Sequence, residues 1–129
     1  MEMNFLAILV AAVSALVVGF IWYKPKVFGN AWMSASGMTE EKIKGGNMAK
    51  IFTLVLLFSF MLAFMLQTIV IHQMGAVSLT GGDPSNTLPS FKAFMADYGD
   101  AYRTFKHGAL HGFIAGIFIA LPILGTNAL

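Results

Sequence analysis

Cysteine is absent from this 129-residue chain, which removes disulfides, thiolate metal sites and thiol nucleophiles together. Charge is scarce as well: Asp, Glu, Lys and Arg make up 11% of the residues, against about 25% in a typical soluble domain. A net charge of +2 provides no basic surface for nucleic acid. No Ser-His-Asp set, glycine-rich phosphate loop or carboxylate pair inside an apolar run occurs. Hydrolytic and nucleotide chemistry therefore find no support, no catalytic residue is assigned, and the chain reads as a non-enzyme.

What is present is apolar. Hydrophobic residues form 57% of the chain, and they gather into long runs at about 5–23, 50–72 and 104–125. An α-helix rising about 1.5 Å per residue crosses the hydrocarbon core in about 20 residues. The expected architecture is one all-α integral membrane domain over 1–129, with three transmembrane helices and two short interfacial amphipathic helices. The opening Met-Glu-Met-Asn has no basic n-region, and no small-x-small cleavage site follows the first run. That run is expected to be a retained helix and not a signal peptide.

The connections carry their own signals. Pro25 disfavours a helical residue before it, so Lys24-Pro25-Lys26 ends the first span. Phe28, Trp32 and Met33 are then available to the headgroup region. Thr39 followed by Glu40 and Glu41 predicts a small capped helix to Lys44, stopped by Gly45-Gly46, and Asn47 is placed to cap the second span. The stretch from Thr80 to Pro84 reads as a turn. Phe91, Phe94, Met95 and Tyr98 recur at i, i+3, i+4 and i+7, which predicts an amphipathic helix. Asp100 is expected to cap the third span.

Two side-chain patterns stand out on the spans. Ala7, Ala11, Ala15 and Gly19 repeat every four residues on the first, and Gly108, Gly112, Gly116 and Ala120 do so on the third. Such stripes let helix backbones approach closely in lipid, where no hydrophobic drive separates helix from tail. In-step pairing of Ala11 with Gly112 and Ala15 with Gly116 is expected, within one chain or between copies. The second pattern is histidine. His72 ends the second run and His107 and His111 begin the third, so one membrane side should hold all three. Imidazoles there can ligate a borderline metal or a haem iron, with Met61, Met65 and Thr68 on the expected face of His72, or can move protons. Gln67, in the same span, reads as a helix-to-helix hydrogen bond.

The run Trp22-Tyr-Lys-Pro-Lys-Val-Phe-Gly-Asn-Ala-Trp-Met33, with Gly37 after it, resembles the hallmark of a membrane family called domain of unknown function 1761. The segment His107-Gly-Ala-Leu-His-Gly112, with Pro122 and Asn127, is similar to the C-terminal part of bacterial members. The resemblance implies a bacterial inner-membrane setting and assigns no activity. The leading functional expectation is a non-enzymatic accessory or self-associating structural subunit, touching membrane lipid and other copies or partner subunits. Alternatives are a small oligomeric channel or transporter with a histidine-lined path, and a metal or haem carrier. The residues name no cofactor.

Lys24, Lys26, Lys42, Lys44 and Lys50 crowd the first loop, against Lys92, Arg103 and Lys106 in the second. The first loop is therefore expected in the cytoplasm, the N-terminus outside and the C-terminus inside. A reporter fused after residue 129 should read cytoplasmic and one inserted at Gly82 external. The opposite pattern would mean the lysine bias does not set orientation.

Overall fold

A computed structural model describes residues 3–83 and 88–128, and every regular element among them is helical. Three helices are long and apolar enough to cross a membrane: Phe5–Trp22, Met48–Val70 and Phe105–Thr126. The chain divides into two compact units, Glu2–Leu66 and Gln67–Leu129.

In the first unit, helix α1 (Phe5–Trp22) opens on Asn4, whose side-chain oxygen accepts a hydrogen bond from the Ala7 amide at 2.9 Å. Its most covered residues are Ile8 and Ala12, 2% and 1% exposed, with Leu16 and Gly19 half-buried on the same side. Ala7, Ala11 and Ala15 are exposed. The covered face is thus offset by about 100° from the small-residue stripe, which meets it only at Gly19. The reason is volume: Ile8 brings many more van der Waals contacts to a packed face than an alanine can.

After α1 the chain reverses through a π-helical turn, Pro25–Gly29, that runs on into α2 (Asn30–Ser36). Pro25 sits at the first helical position, where its missing N–H costs nothing. The Gly29 amide reaches back five residues to the Lys24 carbonyl at 3.0 Å. The wide turn brings Trp22 onto Phe28, with ring centroids 4.2 Å apart, and Tyr23 edge-on to Trp32 at 5.1 Å. Gly29 is buried, and a Cβ there would collide with the Tyr23 carbonyl oxygen and lie 2.9 Å from the Lys24 backbone. Gly37 ends α2 with φ 63°, a left-handed cap, and its carbonyl accepts from Lys42 Nζ at 3.0 Å. Each residue of the Trp22–Gly37 motif named here therefore has a local structural task.

Helix α3 (Glu40–Lys44) is capped by Thr39, which accepts from the Lys42 amide at 3.2 Å. Helix α4 (Met48–Val70) opens on Asn47, which accepts from the Lys50 amide at 3.0 Å. Phe52 meets Phe20 of α1, with centroids 5.6 Å apart.

The second unit begins with the last turn of α4. Ile71 is extended (φ −93°, ψ 98°), and a new helix α5 (His72–Ser78) follows at once, although the second span was expected to run through His72. Helix α4 thus ends before His72, so the single continuous helix expected to carry Met61, Met65, Thr68 and His72 on one face does not form. Gly81 and Gly82 turn the chain with φ of 72° and 81°; Pro84, the end of that expected turn, lies outside the described residues. Helix α6 (Pro89–Tyr98) covers the expected amphipathic segment, with Phe91 and Met95 half-buried and Phe94 and Tyr98 exposed. Four short helices, α2, α3, α5 and α6, form among the described residues.

Helix α7 (Phe105–Ala115) is capped by Thr104, which accepts from the His107 amide at 3.3 Å. Asp100 does not cap it: its carboxylate pairs with Arg103 at 3.3 Å, and a tight turn at 100–104 intervenes. The third span is not a uniform α-helix either. Residues Gly116–Ala120 form a π-helical turn before α8 (Leu121–Ala128), and the Leu121 amide bonds the Gly116 carbonyl five residues back. Pro122 supplies the cause, because it cannot donate to residue 118 and its ring crowds that carbonyl; widening the preceding turn relieves both. Gly108 and Gly112 lie in α7 and Gly116 opens the π turn. Added Cβ atoms at those three glycines meet nothing within 4 Å among the described residues.

Gly29→Ala should cost about 1–3 kcal/mol, because backbone and not a flexible side chain obstructs the methyl. Gly112→Ala should be tolerated and gain up to about 1 kcal/mol of helix propensity. Thermal unfolding in detergent ranks the two, and equal stability of both variants would contradict the packing at Gly29.

Candidate metal centre

His72 is the first residue of α5, His107 lies in the first turn of α7, and His111 follows one turn later on the same face. The break at Ile71 and the cap at Thr104 determine where these imidazoles start. His72 Nε2 and His111 Nε2 each lie 3.0 Å from His107 Nε2, and one ligand atom from every ring falls within 4.8 Å of the others. Ring centroids are 4.6–5.2 Å apart, well inside water-bridging range. His72 is exposed, while His107 and His111 are half-buried. Among the described residues the trio is the one cluster of three or more potential His, Cys, Asp or Glu ligands.

A ring nitrogen offers one in-plane position, either a proton or a lone pair. His107 Nε2 therefore cannot form good linear hydrogen bonds to two neighbours at once. A shared cation is the other arrangement three imidazoles can take: tetrahedral zinc at 2.0–2.1 Å from each nitrogen would set them about 3.3 Å apart, near the two 3.0 Å approaches and closer than the 4.8 Å that bounds the whole set. Haem fits poorly. Two axial bonds of about 2 Å laid end to end span about 4 Å, more than the 3.0 Å separating His107 from either neighbour. For His72 with His111, the third imidazole would occupy the place of the macrocycle.

A polar frame holds the trio. Gln73, beside His72, is 6% exposed, and its amide nitrogen donates to the carbonyls of Tyr98 at 3.0 Å and Ala101 at 2.7 Å. Both acceptors lie at the end of α6 and just beyond it, and the Tyr98 carbonyl also accepts from the Ala101 amide at 3.0 Å. Tyr102 has φ 63°, and its ring rests 4.9 Å from His107 and 5.8 Å from His72.

Sequence reasoning found the three histidines and missed Gln73 and Tyr102. A glutamine next to His72 in an apolar stretch was a usable signal, whereas a left-handed tyrosine leaves none. Met61 and Met65 are each 56% exposed and belong to the other compact unit, and Gln67 is half-buried.

A family model described as protein of unknown function (DUF1761) matches residues 6–129. The chain belongs to that family, and the match takes in both the Trp22–Gly37 motif and all three histidines. Among curated proteins and among solved structures nothing matches.

Gln73→Met keeps the side chain's length and removes its donors, which takes one hydrogen bond from the Ala101 carbonyl and leaves the Tyr98 carbonyl with the Ala101 amide alone. Stability should fall by about 1–3 kcal/mol, and amide exchange should accelerate over 98–104. A variant as stable and as protected as the parent would show that the amide is not the fastening.

Proposed function

We propose that this member of the DUF1761 family is a non-enzymatic integral membrane protein that holds one borderline divalent transition-metal ion, Zn2+ or Cu2+, on Nε2 of His72, His107 and His111. The observation that carries the reading is the approach of both outer nitrogens to His107 Nε2 at 3.0 Å. Hydrogen bonding satisfies that arrangement incompletely, and a single cation would satisfy all three nitrogens once the rings, now within 4.8 Å, close on it. Neutral imidazole suits zinc and copper, and the absence of cysteine leaves no thiolate to draw the site toward softer ions.

Three protein ligands leave a fourth position open, as in sites that exchange water or a substrate and unlike closed structural sites. That supports a carrier or metal-presenting subunit. The lysine bias of the 24–50 loop supports a bacterial inner-membrane orientation with the N-terminus outside and the trio at the outer side. The exposed small faces at Ala7, Ala11, Ala15, Gly112 and Gly116 are smooth surfaces for lipid or for a helix of a second copy.

Chelator-stripped protein in detergent, titrated with Zn2+ or Cu2+, should take up one ion per chain and gain thermal stability on loading. His107→Ala should weaken binding by about 100-fold or more. Occupancy should fall at pH 5, where protons compete for the same lone pairs. Non-saturable uptake, or equal uptake by a variant lacking all three histidines, would remove the proposal.

A further inference from the structure

The turn at 100–104 contains the one non-glycine residue with positive φ among the described residues, Tyr102 at 63°. For an ordinary L-residue this conformation costs about 1–2 kcal/mol. Glycine or asparagine would relieve that strain. What tyrosine adds is its ring. The ring lies tilted 30° from His107 at 4.9 Å and nearly perpendicular to His72 at 5.8 Å. It is otherwise exposed, at 67%, so its packing is directed at the imidazoles and not at an apolar core.

The backbone around it is fastened on both sides. Gln73 ties Tyr98 and Ala101 to the start of α5. The Thr104 amide bonds the Tyr102 carbonyl at 2.8 Å, and Thr104 then caps α7 through the His107 amide. The strained residue thus sits between two anchors that each adjoin a histidine.

We propose that Tyr102 is a positioning residue for the histidine centre: its left-handed backbone delivers an aromatic wall that sets the ring planes of His72 and His107. The proposal rests on the metal reading above. An imidazole that coordinates a cation becomes electron-poor, and the electron-rich face of an aromatic ring stabilises it more than the metal-free form. Tyr102 therefore restricts the two imidazoles before loading and favours the loaded state.

The test separates strain from positioning. Tyr102→Asn keeps a residue that tolerates left-handed backbone and removes the ring; Tyr102→Phe keeps the ring and removes the hydroxyl. In stripped full-length protein, the Asn variant should unfold at or above the parental temperature, yet bind Zn2+ about tenfold or more weakly. The Phe variant should match the parent in both. In the metal-free state, imidazole proton resonances of His107 should move in the Asn variant and not in the Phe variant, reporting loss of the stacked ring. Parental Zn2+ affinity in the Asn variant would overturn the proposal, as would a lowered unfolding temperature that accounts for the weaker binding. Parental protein that binds no Zn2+ would instead overturn the metal reading itself, and with it the role of Tyr102.

Discussion

The second unit depends on one buried amide. Gln73 stands immediately after an extended residue that interrupts two helices, and its nitrogen donates to two carbonyls at the end of another helix. An amide left unpaired in such surroundings would be costly, so the position tolerates only the arrangement in which both acceptors are present. That arrangement fixes where α5 begins relative to the 98–104 turn. The beginning of α5 is His72, and the turn leads directly to the cap of α7. A structural hydrogen-bond pair and a candidate ligand set therefore share one frame.

Irregular backbone recurs wherever the structure does something specific. The π turn at Pro25–Gly29 stacks the aromatic pairs at the first chain reversal, and the π turn at Gly116–Ala120 absorbs Pro122 inside the third span. Both lie next to a proline, and both shift the facing of every residue after them. The left-handed Tyr102 is a third such departure, placed against the histidines. Outside these points the helices are regular, with side-chain caps at Asn4, Thr39, Asn47 and Thr104.

A set of three neutral imidazoles is an economical ligand set beside apolar helices. An imidazole ligates a metal in its neutral form, so such a ligand set avoids the desolvation penalty of a buried carboxylate. It also leaves the added charge of a bound cation uncompensated by protein acids, which favours weak or exchangeable holding over permanent burial. The exposed His72 provides an approach from one side.

The sequence by itself determined the three spans, because length and the lack of charge are local properties that no tertiary contact can change. It determined the caps at Thr39 and Asn47 and the stop at Gly45–Gly46 for the same reason: each acts within a few residues of itself. It also brought the histidines to one place, since a chain that leaves a span at 72 and enters the next at 107 must reverse on one side. Only the tertiary structure decided which face of α1 is covered, because Ile8 and Ala7 differ by a rotation that composition does not rank. It alone decided that Asp100 pairs with Arg103 and that Thr104 takes the cap, a competition between neighbours with similar local claims. The positive φ of Tyr102 was beyond reach for a deeper reason. Local energetics argue against it, and what accompanies it, the ring contacts with His72 and His107 and the Gln73 hydrogen bonds to Tyr98 and Ala101, exists only in the folded chain.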